Sequence, residues 1–121
     1  MTPYVDLSFL EANAFGQREF VLKIIDLFMG QTPLLLQELH QALAREDWKQ
    51  VGFLAHKLKA SARMLGMWPL VETLETIESL SMKKRHLDRI PDLVRGAEEV
   101  GQQTLKELQR RRTDYQAIQD T

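Results

Sequence analysis

The stretch that decides the fold is FLAHKLKASARMLG, residues 53 to 66. At about 100° per residue, Val51, Leu54, Leu58, Ala62 and Leu65 gather on one side of a helix and predict its buried face. His56 points away from that cluster, and Lys49, Gly52, Lys59, Ala60 and Arg63 share its side. The imidazole is therefore expected to face water. Gly52 and Ala60 stand one turn before and after it, so nothing bulky is expected over the ring from its own helix. Glycine inside a helix costs roughly 1 kcal/mol relative to alanine, which makes sense where open space is useful or where another helix packs closely.

Working outward, Asp47 is a natural N-cap for this helix and Gly66 a natural stop. Upstream, the pattern predicts a short helix over Leu7 to Ala12, with Asp6 capping it, and a longer one from about Gln17. In the latter, Phe20, Ile24, Leu27 and Phe28 read as one buried face, and Leu35, Leu36, Leu39 and Leu43 continue the stripe past Pro33. A kinked helix or two abutting ones is expected there. Downstream, a helix starts at Trp68 and Pro69 and buries Leu70, Val71, Leu74, Ile77 and either Leu80 or Met82. MKKRH, residues 82 to 86, reads as a polar loop or frayed helix end. The last helix is expected from Pro91 or Asp92 to about Arg111, with Leu93, Val100, Leu105 and Leu108 inward.

With six glycines, four prolines and no alternating apolar and polar run of strand length, the chain is expected to be all-α. Four amphipathic helices joined by short links imply an antiparallel four-helix bundle, with a short additional N-terminal helix laid across one end. A length of 121 residues suits a single domain, with its core at about residues 5–108 and residues 109–121 as a helix end and tail.

The charge pattern around His56 allows two readings. A solvated face is the ordinary one. The other is a site, because Lys59, Arg63 and, on its flexible stem, Lys57 would attract an anion carried by the histidine, above all a phosphoryl group. Phe53, at the edge of this face, would offer a partner an apolar foothold.

The segment Ala55-His56-Lys57-Leu58-Lys59-Ala60-Ser61 with Leu65-Gly66 resembles the hallmark of histidine-containing phosphotransfer (HPt) domains. VDLSFLEANAF resembles the family's N-terminal helix, LFMGQTPLLLQELHQAL its next helix and LVETLETIESL the helix after the motif, while ALAREDWKQVGFLAHKLK reproduces the spacing through the aspartate turn to the histidine, so the likeness covers roughly residues 5 to 80. Family members usually carry glycine where this chain has Ala60, and alanine keeps the surface low. The resemblance implies a phosphorelay intermediate: His56 would take a phosphoryl group from a receiver-domain aspartate and pass it to another receiver. It implies Lys59, and secondarily Lys57, as charge stabilisers, and Gly52, Phe53, Ala60 and Arg63 as partner contacts. The partners it implies are receiver domains of response regulators and hybrid histidine kinases, with magnesium on the receiver and no cofactor or metal on this chain. Ser61 turns inward on the wheel and reads as a packing residue.

Other functions are less well served. An autokinase needs a nucleotide site, and no glycine-rich phosphate loop is present. A helical adaptor that docks a receiver or kinase without being phosphorylated is the alternative from another class. His40, His56 and His86 fall on separate segments without metal-ligand spacing. A net charge of -1 gives no general attraction to nucleic acid. No stretch is apolar enough to span a membrane, and no cysteine is present. A cytoplasmic monomer is the expectation.

Overall fold

The computed structural model describes residues 4–119. Its helices are α1 (Ser8–Asn13), α2 (Arg18–Ala44), α3 (Trp48–Met64), α4 (Trp68–Lys83) and α5 (Ile90–Gln119), with a 3-10 turn over Leu87–Arg89 before α5. Packing runs α2 to α3, α3 to α4, α4 to α5 and α5 back to α2. The four long helices thus form a closed antiparallel bundle. Ile25, Leu39, Leu58, Leu70, Leu74, Ile77, Ile90 and Leu108 are fully buried along its axis. Each such side chain contributes roughly 1.5–3 kcal/mol of burial free energy, which is what holds helices too weak to persist alone.

The turns are built from local chemistry. After α2, Glu46 adopts φ 53, the Asp47 amide donates to the Ala42 carbonyl, and the Asp47 side chain caps α3 by accepting from the Gln50 amide at 3.2 Å. Asp47 therefore closes one helix and opens the next. α3 ends in a Schellman motif: Met67 N–H donates to the Ala62 carbonyl and Gly66 N–H to the Arg63 carbonyl, with Gly66 at φ +63. The N-terminal segment crosses this turn. Asp6 N–H donates to the Gly66 carbonyl at 3.1 Å, and Glu107 on α5 accepts from the Val5 amide at 2.7 Å. α1 is thereby laid across the end of the bundle. Its N-cap is Leu7, one residue later than expected, and Asp6 assists from outside by accepting from the Ser8 amide.

Expectations for the inward faces of α2 and α5 and for the end of α5 are corrected. Of the two alternatives for α2, a single helix through Pro33 is the one present, because that residue faces solvent and the carbonyl it leaves unpaired can be served by water. Its inward row is Val21, Ile25, Phe28, Thr32, Leu35, Leu36 and Leu39, whereas Phe20 and Leu27 are exposed and Ile24 is half-buried. The apolar arc of α2 is wider than the surface α3 and α5 cover, so its edge lies in water.

On α5 the deepest positions are the small ones. Ala97, Gly101 and Thr104 are buried with Val94 and Leu108, while Leu93, Val100 and Leu105 are half-buried. A Cβ at Gly101 would meet Leu36 Cδ1 at 3.0 Å, so this glycine permits the close approach of α5 to α2. α5 also continues eight residues beyond Arg111, to Gln119. Arg112 grips Asp26 with two hydrogen bonds, at 2.5 and 3.2 Å, and Tyr115 packs against the core. Residues 120 and 121 of the expected tail lie outside the described residues. On α4, Leu80 packs against the core and Met82 is exposed.

Candidate functional site

His56 lies in the middle of α3, and its side chain is 64% exposed. Leu58 and Ala62, which the wheel places in the core, are fully buried, and so is Ala55 beside them. Register against α4 decides the rest. His56 Nδ1 lies 2.8 Å from Oε1 of Glu78, and Lys59 Nζ lies 2.6 Å from Oε2 of the same carboxylate. Glu78 is 15% exposed and Lys59 13%, so this ion pair is largely sheltered from solvent. Burial pushes the Glu78 carboxyl up, but hydrogen bonds from Lys59 and His56 and their charges outweigh it and hold the group below its ordinary value.

That ionised state determines the tautomer. A carboxylate can only accept, so Nδ1 of the neutral ring must carry the proton. Nε2 then keeps its lone pair and has no partner among the described residues. The arrangement parallels the carboxylate–imidazole pair of hydrolytic triads, in which the acid orients the ring and offsets positive charge that forms on it. Here the same pairing leaves the ring's second nitrogen unprotonated on an exposed side chain.

The residues expected at the site divide into two groups. His56, Gly52 and Phe53 line one open groove of about 570 Å³ with Lys49, Glu78, Ser81, Met82 and Lys84. Phe53 is 60% exposed there. Of the two readings of Gly52, close packing is the one the structure contains: it is buried, and a Cβ would meet Met82 Cγ at 3.3 Å and Ser81 Cβ at 3.5 Å. Its missing side chain lets α4 come close to α3 and does not leave open space above the imidazole. Lys59 is joined to His56 through Glu78 and points at that carboxylate. Lys57, Ala60 and Arg63 are exposed outside the groove, and Arg63 lies 4.0 Å from Glu75. Ser61 is half-buried.

Glu78 escaped the sequence reading. Its signal was present in the spacing: it falls four residues after the buried Leu74 and three before the buried Ser81, at the edge of an apolar stripe. A carboxylate in that position must find a cation. Of the other histidines, His40 pairs with Glu98 of α5 at 3.1 Å and His86 is exposed on the α4–α5 connection. Among the described residues no three His, Asp or Glu side chains gather as a metal site. No helix among them is long and apolar enough to cross a membrane.

This geometry agrees with what is found by comparison. The crystal structure of histidine-containing phosphotransfer protein B (HptB) from Pseudomonas aeruginosa PAO1 superimposes with a TM-score of 0.86 at 21% identity, covering 95% of this chain and 99% of that one. At that identity the likeness establishes the bundle fold. No protein of curated function matches the chain in sequence. The family model of the Hpt domain matches residues 23–120, which include His56, Lys59 and Glu78. The chain therefore belongs to the Hpt domain family and is a phosphotransfer intermediate of two-component signalling.

Proposed function

We propose that His56 is the phosphoacceptor and that it receives its phosphoryl group from an aspartyl phosphate on a receiver domain. The observation that carries this reading is the pairing of His56 Nδ1 with Glu78, which leaves Nε2 as the attacking nitrogen. In the step, the Nε2 lone pair forms an N–P bond while the P–O bond to the aspartyl carboxylate breaks, and that carboxylate departs with the electron pair. No proton has to leave the ring, because Nδ1–H stays with Glu78. The positive charge that develops on the imidazole is offset by the same carboxylate. Transfer onward to a second receiver is the reverse displacement.

Phosphoryl transfer demands positioning and charge compensation more than covalent work. Lys59 acts through Glu78, holding it ionised and aimed at the ring. Lys57, exposed on α3, is the free cation closest in sequence to the acceptor and can reach an incoming phosphoryl group. Magnesium belongs to the receiver in this scheme, and the chain works as a monomeric cytoplasmic carrier with no autokinase activity of its own.

The docking surface follows from the bundle. Asp26 and His40 of α2 reach α5, through Arg112 and Glu98. Phe20, Leu27 and Leu34 lie on the opposite side of the buried row and are exposed. That side is the flank toward α3, on which Phe53 and Met64 are also exposed. A receiver approaching Nε2 would cover this apolar surface, and Ala60 keeps it low.

The test is phosphoryl acceptance from phosphorylated receivers by wild type and His56→Gln. Label that enters the wild type alone, is acid-labile and survives base supports the proposal. Receivers that bind both proteins equally and label neither would make the chain a docking adaptor instead.

A further inference from the structure

The α4–α5 connection carries charge that the acceptor chemistry does not use. Residues 83 to 89 read KKRHLDR, with Lys83, Lys84, Arg85 and Arg89 set against the single carboxylate of Asp88, in a chain whose net charge is -1. All four cations are exposed. Among the described residues, none has a carboxylate within ion-pairing distance. A favourable contact with the C-terminal end of α4 accounts for Lys83 but weakens within a turn and does not explain the whole run. Lys84 and His86 also hold left-handed backbone, at φ 51 and 50, where glycine or asparagine is more usual. The segment therefore keeps a lysine, Lys84, at a position where the backbone would favour another residue.

Its location relates it to the acceptor. Lys84 lines the groove that contains His56, together with Lys49 from α3. His56 thus stands between an apolar flank on the α2 side and a cationic end to which the α4–α5 connection contributes Lys84 and α3 contributes Lys49. The two flanks ask for different chemistry from whatever docks over the imidazole.

We propose that the α4–α5 connection is a second docking element, selecting receiver domains whose surface beside the phosphorylated aspartate is acidic; the proposal rests on His56 being the acceptor. The apolar flank supplies contact area common to many receivers, and the cationic end discriminates among them. Like-charged receivers are repelled and acidic ones are drawn in faster. Because the cations are exposed, their effect must fade as salt shortens the reach of charge.

The experiment uses the full chain and a panel of phosphorylated receivers, some with acidic and some with neutral or basic surfaces beside the aspartate. Wild type is compared with a Lys83→Glu, Arg85→Glu, Arg89→Glu variant and with a charge-preserving Lys83→Arg, Arg85→Lys, Arg89→Lys variant. At low salt the wild type should accept from acidic receivers with a kcat/KM about tenfold higher, an advantage that shrinks as salt rises. The charge-reversed variant should lose or invert this preference, and the charge-preserving one should retain it. Equal rates toward both groups of receivers, or a reversed variant indistinguishable from wild type at low salt, would overturn the proposal. Phosphoramidate labelling of wild type, located by mass spectrometry, checks the acceptor separately. Labelled His56 without charge preference overturns the docking element alone; His56 labelled by neither phosphoramidate nor any receiver overturns the acceptor reading and the docking element with it.

Discussion

Glu78 reaches from α4 to His56 on α3, with Oε1 2.8 Å from Nδ1, and its other oxygen holds the Lys59 ammonium at 2.6 Å. One carboxylate thus selects the imidazole tautomer, orients the ring and neutralises a lysine that is only 13% exposed. Its removal should affect catalysis and stability together, and the two effects can be separated by choice of substitution.

Glu78→Gln keeps a hydrogen-bonding group beside Nδ1 but loses the negative charge that offsets the imidazolium. Phosphoryl acceptance should slow by roughly tenfold or more, with receiver binding unchanged. Glu78→Ala should additionally leave Lys59 sheltered and unpaired, costing about 1–3 kcal/mol of stability. Single-turnover transfer and urea denaturation on both variants provide the comparison. Equal transfer rates for wild type and Glu78→Gln would remove the carboxylate from the mechanism.

Acid should weaken the bundle partly through this residue. The folded pKa of Glu78 lies below its ordinary 4.5, so the unfolded chain binds the proton more readily. The stabilisation is complete above the unfolded value and is lost as pH falls through the folded one. Asp6 and Asp26 are also held below their ordinary value, by hydrogen bonds from Ser8 and Arg112 respectively, and supply an acid-sensitive background. Thermal melts of wild type and Glu78→Gln should therefore converge as pH is lowered from 7 to about 3. A constant gap over that range would mean that Glu78 ionisation is not linked to folding.

Gly66→Ala should be among the most damaging single-methyl additions. Gly66 has φ +63, and an added Cβ would fall on the Asp6 carbonyl of the crossing N-terminal segment. Left-handed strain alone costs about 1–2 kcal/mol, and relief of the clash requires the 5–7 segment to move off the turn. Denaturation should show a loss of at least about 2 kcal/mol, and amides near Val5 should exchange faster. Gly96→Ala is the contrasting case, since no atom lies within 4 Å of its added Cβ, and it should be neutral or stabilising.

Leu27→Glu tests the apolar flank without disturbing the core. Leu27 is exposed, so stability should change by no more than about 0.5 kcal/mol. KM for phosphorylated receivers should rise several-fold while phosphoramidate labelling stays at the wild-type rate. An unchanged KM would move the docking surface away from α2.

Features set within one helix were legible from sequence because each depends on a residue's own neighbours. Asp47 at the start of α3, Gly66 at its end and the outward direction of His56 follow from capping geometry and a 3.6-residue period, and the structure contains all three. The motif around His56 was enough to place the chain among the Hpt domains. Relations between helices were not legible in the same way. The face of α2 that turns inward depended on where α3 and α5 settle against it, which left Phe20 and Leu27 in water. The choice between open space and close packing at Gly52 was decided only by Met82 and Ser81 packed over it. Glu78, 22 residues from His56, becomes its partner because the α3–α4 crossing brings two side chains on different helices to 2.8 Å. Periodicity specifies the direction of a side chain on its own helix; the rotation and height of the neighbouring helix, set by packing of the whole core, decide what it meets.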